Sequence, residues 1–454
     1  MKKKLLSVLL CGALVAGSLA GCGGSSESSD TATTEETTAD SGEKEETKET
    51  ASGDENTVSV YAWDANFNIP ALEAAAEDYK ANVNPDFNLN IIEQSQSSDV
   101  ENAITLAGQS GDYSNLPDIV LFQDHYIQQY VRNYPDAWHD MAASTIDWSD
   151  FGAEKLSYST INDVHYGVPV DNGTAIMAYR TDLLEQAGYS MDDMTGISWE
   201  KFIEVGKAVY EKTGKYLLCM DGDGNDLPYM MLQAEGVSQF KDGKANIVGN
   251  DTLKQVIQVI CDMATNNVLY LANDWSDYTD QAIQGDMVAG VLNGNWIIPT
   301  IEKVEANSGK WEITSLPTLK GGEGYAANGG SSLYITGNCK NYELAQDFLD
   351  KTFGAGSTAT YDAALKNGGV ITCSTKAGSS EVYNEGVDYF NGQAIYAKIV
   401  QMGANVPVVE QNDYHYTCRQ QLATAIHNIC EGGNIDDELK NAEEQLTFAM
   451  EGNE

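Results

Sequence analysis

From Thr57 the chain alternates apolar and polar positions, Thr57-Val58-Ser59-Val60-Tyr61-Ala62-Trp63, and this period of two predicts a first strand. Asn68-Ile69-Pro70 then opens a helix. Pro sits near its start, where no intrahelical donor is lost, and Leu72, Ala75, Ala76 and Tyr79 recur at helical spacing. Phe87-Asn88-Leu89-Asn90-Ile91-Ile92 predicts a second strand, and a helix follows around Asp99 to Ala107. Leu116-Pro117-Asp118-Ile119-Val120-Leu121-Phe122 ends in an unbroken apolar run, the kind of strand buried on both faces of a parallel sheet. Strand, helix, strand, helix, strand is an α/β sheet with crossover helices. Ligands of such sheets sit at the carboxyl ends of the strands. That rule points at Trp63-Asp64, Gln94 and Gln96, and Gln123-Asp124. Further on, Ser198 caps a helix carrying Trp199, Phe202 and Val205. Helices dominate after residue 340.

Composition narrows the picture. The chain has 454 residues, 42% hydrophobic and 9% aromatic, enough for two packed domains and too apolar for general disorder. Lys and Arg number 26 against 68 Asp and Glu, a formal charge of −42, so nucleic acid is excluded as a partner by repulsion from its phosphates. No stretch after residue 21 holds eighteen consecutive apolar residues, so nothing there is expected to span a membrane.

The N-terminus reads as an address. Met1-Lys2-Lys3-Lys4 precedes an apolar run from Leu5 to Ala16, and Leu19-Ala20-Gly21-Cys22 resembles the bacterial lipobox. Residues 1–21 are thus expected to be a lipoprotein signal peptide, with Cys22 diacylated as the first mature residue. The segment 23–57 carries 14 Ser or Thr and 11 acidic residues, with no Leu, Ile, Phe, Trp or Tyr. It cannot bury enough apolar surface to offset its ordering entropy, so residues 22–57 are expected to be a lipidated, disordered tether and 58–454 the folded part.

Of the eight cysteines, six lie in that part: Cys219, Cys261, Cys339, Cys373, Cys418 and Cys430. An even number in an exported protein permits disulfides, but no spacing is diagnostic, and there is no CxxC or His/Cys set of zinc spacing. Asp221-Gly222-Asp223-Gly224-Asn225-Asp226 begins like a calcium loop, yet position six is Asp226 and position twelve is Leu232. No metal, cofactor or catalytic residue is expected. With 68 acidic residues, carboxylate pairs suited to glycoside hydrolysis are available on paper and decide nothing.

The central run Tyr166-Gly167-Val168-Pro169-Val170-Asp171-Asn172-Gly173-Thr174 continues to Tyr179-Arg180, Thr181-Asp182-Leu183-Leu184, Ala187-Gly188 and Ser198-Trp199-Glu200-Lys201-Phe202. It resembles the signature of family 1 extracellular solute-binding proteins, the carbohydrate-binding lipoproteins of ABC importers. Further matches keep the family's order: Gly285-Asp286-Met287-Val288-Ala289-Gly290 leading to Asn293-Gly294-Asn295-Trp296, then Leu316-Pro317, Gly329-Gly330-Ser331 and a helix from Tyr342 to Phe353. The resemblance runs from about Val58 to Phe448. It implies a two-lobe periplasmic-binding-protein-like α/β fold of type II, with several hinge crossovers and a ligand cleft between the lobes. By analogy the crossovers fall near residues 175–179, 311–313 and 353–357. Lobe one is then 58–175 plus 313–353, and lobe two 178–310 plus 358–454. The implied function is delivery of a carbohydrate, an oligosaccharide in particular, to ABC permease subunits. The protein would be a monomer, lipid-anchored at the outer face of a Gram-positive cell membrane. A surface glycoside hydrolase and a peptide or polyamine receptor are the alternatives.

Sugars present apolar C–H faces ringed by hydroxyls, so their sites need aromatic platforms and directed polar groups. Trp63 and Asp64 offer stacking and hydroxyl acceptance, or Trp63 packs the lobe face. Asp124 resembles an acidic sugar contact of the family. Asp171 lies beside the first crossover as a ligand acceptor or a turn-holding Asp; the chain lacks the Glu that the family's maltose-binding members have just after that point. In the second lobe the resemblance implies an aromatic platform at Trp296, beside Asn295 in a flexible polar turn. Trp275 in the polar loop Asn273-Asp274-Trp275-Ser276-Asp277 and Tyr229 are further candidates. Gly330 allows a close backbone approach or only a turn. Either Tyr414 or Tyr416 supplies a late aromatic. Scarce Arg (Arg132, Arg180 and Arg419 in the folded part) favours a neutral ligand.

Overall fold

The computed structural model describes residues 55–451 apart from Asn66 and residues 222–225. The expected signal peptide, Cys22, nearly all of the expected tether and the middle of the 221–226 segment lie outside the described residues.

β1 (Thr57–Ala62), α1 (Asn68–Asn82), β2 (Asn88–Glu93), α2 (Ser97–Ser110) and β3 (Ile119–Gln123) follow the order that the hydrophobic pattern predicts. β1 runs parallel to both β2 and β3. It takes in Thr57, which is buried and so belongs to the sheet rather than to the tether. α2 starts at a reciprocal capping box in which Gln96 and Asp99 each accept from the other's backbone, satisfying two orphan donors of its first turn. α3 (Asp124–Asn133) and α4 (Ala153–Ser159) then lead to β4 (Gly167–Asp171).

The chain next crosses to a second sheet. β5 (Ala175–Arg180) is buried along its whole length. Its period of two sends Ala175, Met177 and Tyr179 into one core and Ile176 and Ala178 into another. α5 (Trp199–Thr213) follows, its start capped by the Ser198 hydroxyl accepting from the Lys201 N–H at 3.2 Å. β6 (Leu218–Met220), α6 (Asp226–Ala234), α7 (Asp251–Thr265) and β7 (Leu269–Leu271) come next, with β6 and β7 parallel. β8 (Gly290–Gly294) and β9 (Trp311–Thr314) flank β5, both antiparallel to it.

β10 (Ser331–Ile335) returns to the first sheet and inserts antiparallel between β3 and β4, giving the order β2-β1-β3-β10-β4. β3 is therefore central, which is why Ile119 to Phe122 carry no polar side chain. α8 (Tyr342–Lys351) and α9 (Thr358–Gly368) cover the face that α1 also covers. Tyr361 and Ala364 of α9 are buried with Ala71, Leu72 and Ala75 of α1. This corrects the expected lobe division, which gave residues from 358 onward to lobe two. Residues 374–376 also stay with the first lobe, because the Asp150 carboxylate accepts from Thr375 Oγ1 at 2.6 Å and from the Lys376 N–H at 2.8 Å. The third crossing comes after them. An amphipathic helix pattern states that a face is buried, not which sheet buries it. α10 (Ile395–Gly403) then packs Ile395, Ile399 and Met402 with Ile176 and Ala178. α11 (His415–Cys430) and α12 (Ile435–Glu451) bury Leu422, Ile426, Leu439 and Leu446 with Met177 and Tyr179. The result is a two-lobe α/β fold. Among the described residues no helix is long and apolar enough to cross a membrane.

Candidate functional site

β3 and β4 are both antiparallel to β10, so β4 runs with β1, β2 and β3. The carboxyl ends of four strands and the start of β10 therefore share one edge, which carries Trp63, Gln94, Asp124, Asp171 and Gly330. Thr174 and Ala327 bridge two of the interlobe crossings, and the Asn295 N–H donates to the Thr174 carbonyl at 2.8 Å. Asn295 and Trp296, just past β8, are thereby brought to the same region.

Both candidate aspartates on this edge are buried and engaged. Lys155 Nζ of α4 donates to Asp124 Oδ2 at 2.5 Å and to the Ser331 carbonyl at 2.8 Å, and Ser332 Oγ donates to Asp124 Oδ1 at 3.1 Å. Burial pushes the Asp124 carboxyl up to about 6 despite the pull of Lys155. Asp171 Oδ1 accepts from the Ser331 N–H at 3.0 Å and its hydroxyl at 2.9 Å. It holds β4 to β10, a tie that the turn-holding alternative read from the sequence does not include. Gly330 has φ of +100°, and a Cβ there would lie 2.5 Å from Asp124 Oδ2, so its role in this conformation is to admit Asp124 beside the backbone.

Beyond this edge α3 and α4 of the first lobe face α6 and α11 of the second. The rings of His125 and His415 stack with centroids 4.2 Å apart and planes 2° from parallel. Tyr229 stands edge-on to both, its hydroxyl 3.3 Å from that of Tyr158. Tyr126 and Tyr416 stack at 4.4 Å, and Tyr416 Oη donates to Gln123 Oε1 at 3.3 Å. Gln233 donates to Glu154 Oε1 at 3.3 Å across the same seam. Arg419 pairs with Asp226 and lies 5.2 Å from the Tyr416 ring. Asn328 donates to Asp226 and to Asn293, each at 2.7 Å, while its carbonyl accepts the Trp296 indole N–H at 2.7 Å.

Burial sets the electrostatics here. It lowers His415 to about 3 and His125 well below its ordinary value, so both rings are neutral. It raises Glu154 to about 7 and lowers Arg419 to about 10. Among the described residues, neither ring nitrogen of His125 nor Asn172 Oδ1 has a hydrogen-bond partner. Each such group costs about 1–3 kcal/mol, a penalty that a polar solute entering the seam would relieve. Between Lys155, Asn172, Thr174, Cys373 and Gly403 the lobes leave a cavity of about 10 Å³. That is roughly room for one water, so a ring-sized solute does not fit at this point as the lobes stand.

The other candidates divide. Trp296 is half-buried and hydrogen-bonded, and Asn293 and Asn295 beside it are buried, so this turn is held rather than flexible. Trp275 is 41% exposed, stacks on Tyr278 at 5.2 Å and leans on Trp296 at 5.8 Å. Trp63 is half-buried against both cores of the first lobe. Asp64 is exposed with φ of +66°, and its carbonyl accepts the Ile69 N–H at 3.2 Å, which shapes the entry to α1. Tyr416 faces the first lobe, whereas Tyr414 packs against the second-lobe core. Sequence reasoning missed His125, Tyr126, Lys155, Tyr158, Asn328, His415 and the seam role of Arg419. His125 and Tyr126 directly follow Asp124, so the strand-end rule reaches them. Nothing local singles out Lys155 or Arg419.

Two α/β lobes closing on a polar, aromatic seam define the architecture of a solute-binding protein. A model of the bacterial extracellular solute-binding protein family matches residues 74–391, and the chain belongs to that family. It is 32% identical over 391 residues to the lactose-binding protein of Rhizobium radiobacter, covering 86% of this chain and 92% of that one. Among solved structures, it is similar to the sugar-binding protein MalE from Xanthomonas citri, with a TM-score of 0.69 at 17% identity over 86% of this chain and 96% of that one. The galacto-N-biose/lacto-N-biose I-binding protein of the Bifidobacterium longum ABC transporter also has a TM-score of 0.69, at 16% identity over 87% and 97% of the two chains.

Proposed function

We propose that this protein captures a neutral carbohydrate of disaccharide or oligosaccharide size between its lobes and delivers it to the permease subunits of an ABC importer. It does so as a monomer, anchored at the outer face of the cell membrane through lipid on Cys22, and without covalent chemistry. The observation that carries this reading is the interlobe seam. There, stacked aromatic planes and buried polar atoms lacking partners face each other across two bodies that must separate to admit a ligand. A solute touching both walls stabilises the closed form selectively. Neutrality is supported by the arginines: Arg132 pairs with Asp413, Arg180 with Asp182 and Asp286, and Arg419 with Asp226, so each guanidinium is already matched by a carboxylate. The relative named for lactose makes β-galactosides the first ligands to test.

Lactose and a panel of neutral oligosaccharides are expected to include one that raises the melting temperature by several degrees. A ligand at a hundred times its dissociation constant adds about 2.7 kcal/mol. A panel with no shift sinks the proposal, and release of monosaccharides from the ligand transfers it to the hydrolase class.

Trp296→Ala is expected to weaken binding of that sugar roughly thirtyfold, the usual effect of removing an aromatic platform worth about 2 kcal/mol. Trp296→Phe keeps a ring and should retain most of the affinity. Calorimetry giving wild-type affinity for the alanine variant would return Trp296 to a purely structural role at Asn328.

A further inference from the structure

The six cysteines of the folded part are not equivalently placed. Cys219 lies in β6, Cys339 after β10, Cys373 after α9 and Cys418 inside α11. Cys261 of α7 and Cys430, the last residue of α11, bring their sulfurs within 2.8 Å of each other. They are 169 positions apart in the chain, so this contact is made by the packing of α7 on α11 and not by local geometry. Both side chains belong to the second-lobe core; Cys261 is buried there, while Cys430 at its margin stays half-exposed.

We propose that Cys261 and Cys430 form a disulfide that staples α7 to the carboxyl end of α11. A disulfide needs a sulfur separation of about 2.05 Å, so closing the bond requires roughly 0.8 Å of movement. The family is extracellular, where disulfides form and persist. The chemistry balances with an external disulfide as oxidant. The Cys430 thiolate, the reachable one, attacks a sulfur of that disulfide, forming a mixed disulfide and releasing one thiolate. The Cys261 thiolate then attacks the Cys430 sulfur and releases the second. Two electrons pass to the oxidant, and the two protons end on the released thiols. The hydrogen bond from Cys261 holds the Cys430 thiol below its ordinary range, which favours it as the first nucleophile.

The staple bears on the seam. The opposite end of α11 presents His415 and Tyr416 to the first lobe, so fixing this helix fixes one wall of the site. A cross-link closing so long a loop acts mainly by restricting the unfolded chain.

The test uses the full chain incubated with glutathione disulfide, denatured without reductant, alkylated and digested. A linked pair of peptides containing Cys261 and Cys430 is expected. Reduction should lower the melting temperature by about 5–10 °C, and Cys261→Ser combined with Cys430→Ser should melt identically with and without reductant. Alkylation of both cysteines before reduction overturns the proposal, as does linkage of either to another cysteine. The peptide map on the unaltered chain decides the matter even if the double variant does not fold.

Discussion

Lys155→Met is expected to destabilise the first lobe by about 3 kcal/mol, near the low end for breaking a buried ion pair. Lys155 is fully buried, and its ammonium is shared between Asp124 and the Ser331 carbonyl at the start of β10. Removing it leaves Asp124 without its cation and the returning strand without a donor. The Asp124 carboxyl already sits at about 6, so losing Lys155 raises it through neutrality; protonation then caps the penalty. Asp124→Leu combined with Lys155→Met removes both charges and should recover most of the loss, since an apolar pair of similar volume tolerates the same burial. Denaturant titration of the three variants measures this. A cost below about 1 kcal/mol for Lys155→Met would mean that Asp124 is not held by it, and would restore Asp124 as a free acceptor for ligand hydroxyls.

Acidification should open the lobes. In the closed form His415 titrates at about 3 and His125 well below 6.5, while Glu154 titrates at about 7. Parting the lobes separates the stacked rings and frees Glu154 from Gln233, returning these groups toward their ordinary values of 6.5 and 4.5. The histidines are depressed on closing, so their contribution to closure is present above pH 6.5 and lost as pH falls. Glu154 is raised on closing, so its contribution has the opposite sign and grows from pH 7 down to 4.5. Between 6.5 and 4.5 opening therefore takes up two protons on the histidines and releases one from Glu154. One net proton is worth about 1.4 kcal/mol per pH unit, or roughly a hundredfold loss of closure across that window. Asp124 lies inside the first lobe in either state and drops out. Scattering should show a larger radius of gyration at pH 4.5 than at 6.5 with the fold intact. Glu154→Gln should double the slope, and His415→Asn, leaving one proton on each side, should flatten it. A radius independent of pH in the native protein contradicts the account.

How much of this was legible beforehand depends on the range of the interaction. The strands β1 and β3, the Ser198 cap and the α/β order follow from periods and caps that span a few residues. The strand-end rule gathered Trp63, Gln94 and Asp124 onto one edge, because parallel pairing forces carboxyl ends together. The same reasoning stops at what those side chains do there. Asp124 reads as a free acceptor until Lys155 arrives from another helix. Asp171 reads equally as ligand contact or turn-holding Asp, and its tie to β10 shows only once Ser331 returns from the far side of the second lobe. Likewise α9 shows an apolar face but not its partner, and only its packing on α1 gave it to the first lobe. The seam of His125, Tyr416 and Arg419 left no local signature. Periodicity and capping are properties of neighbours along the chain, whereas the pairing of a buried charge, the stacking of two rings and the choice of sheet are settled by long-range packing, which brings distant residues within bonding distance only after both lobes have formed.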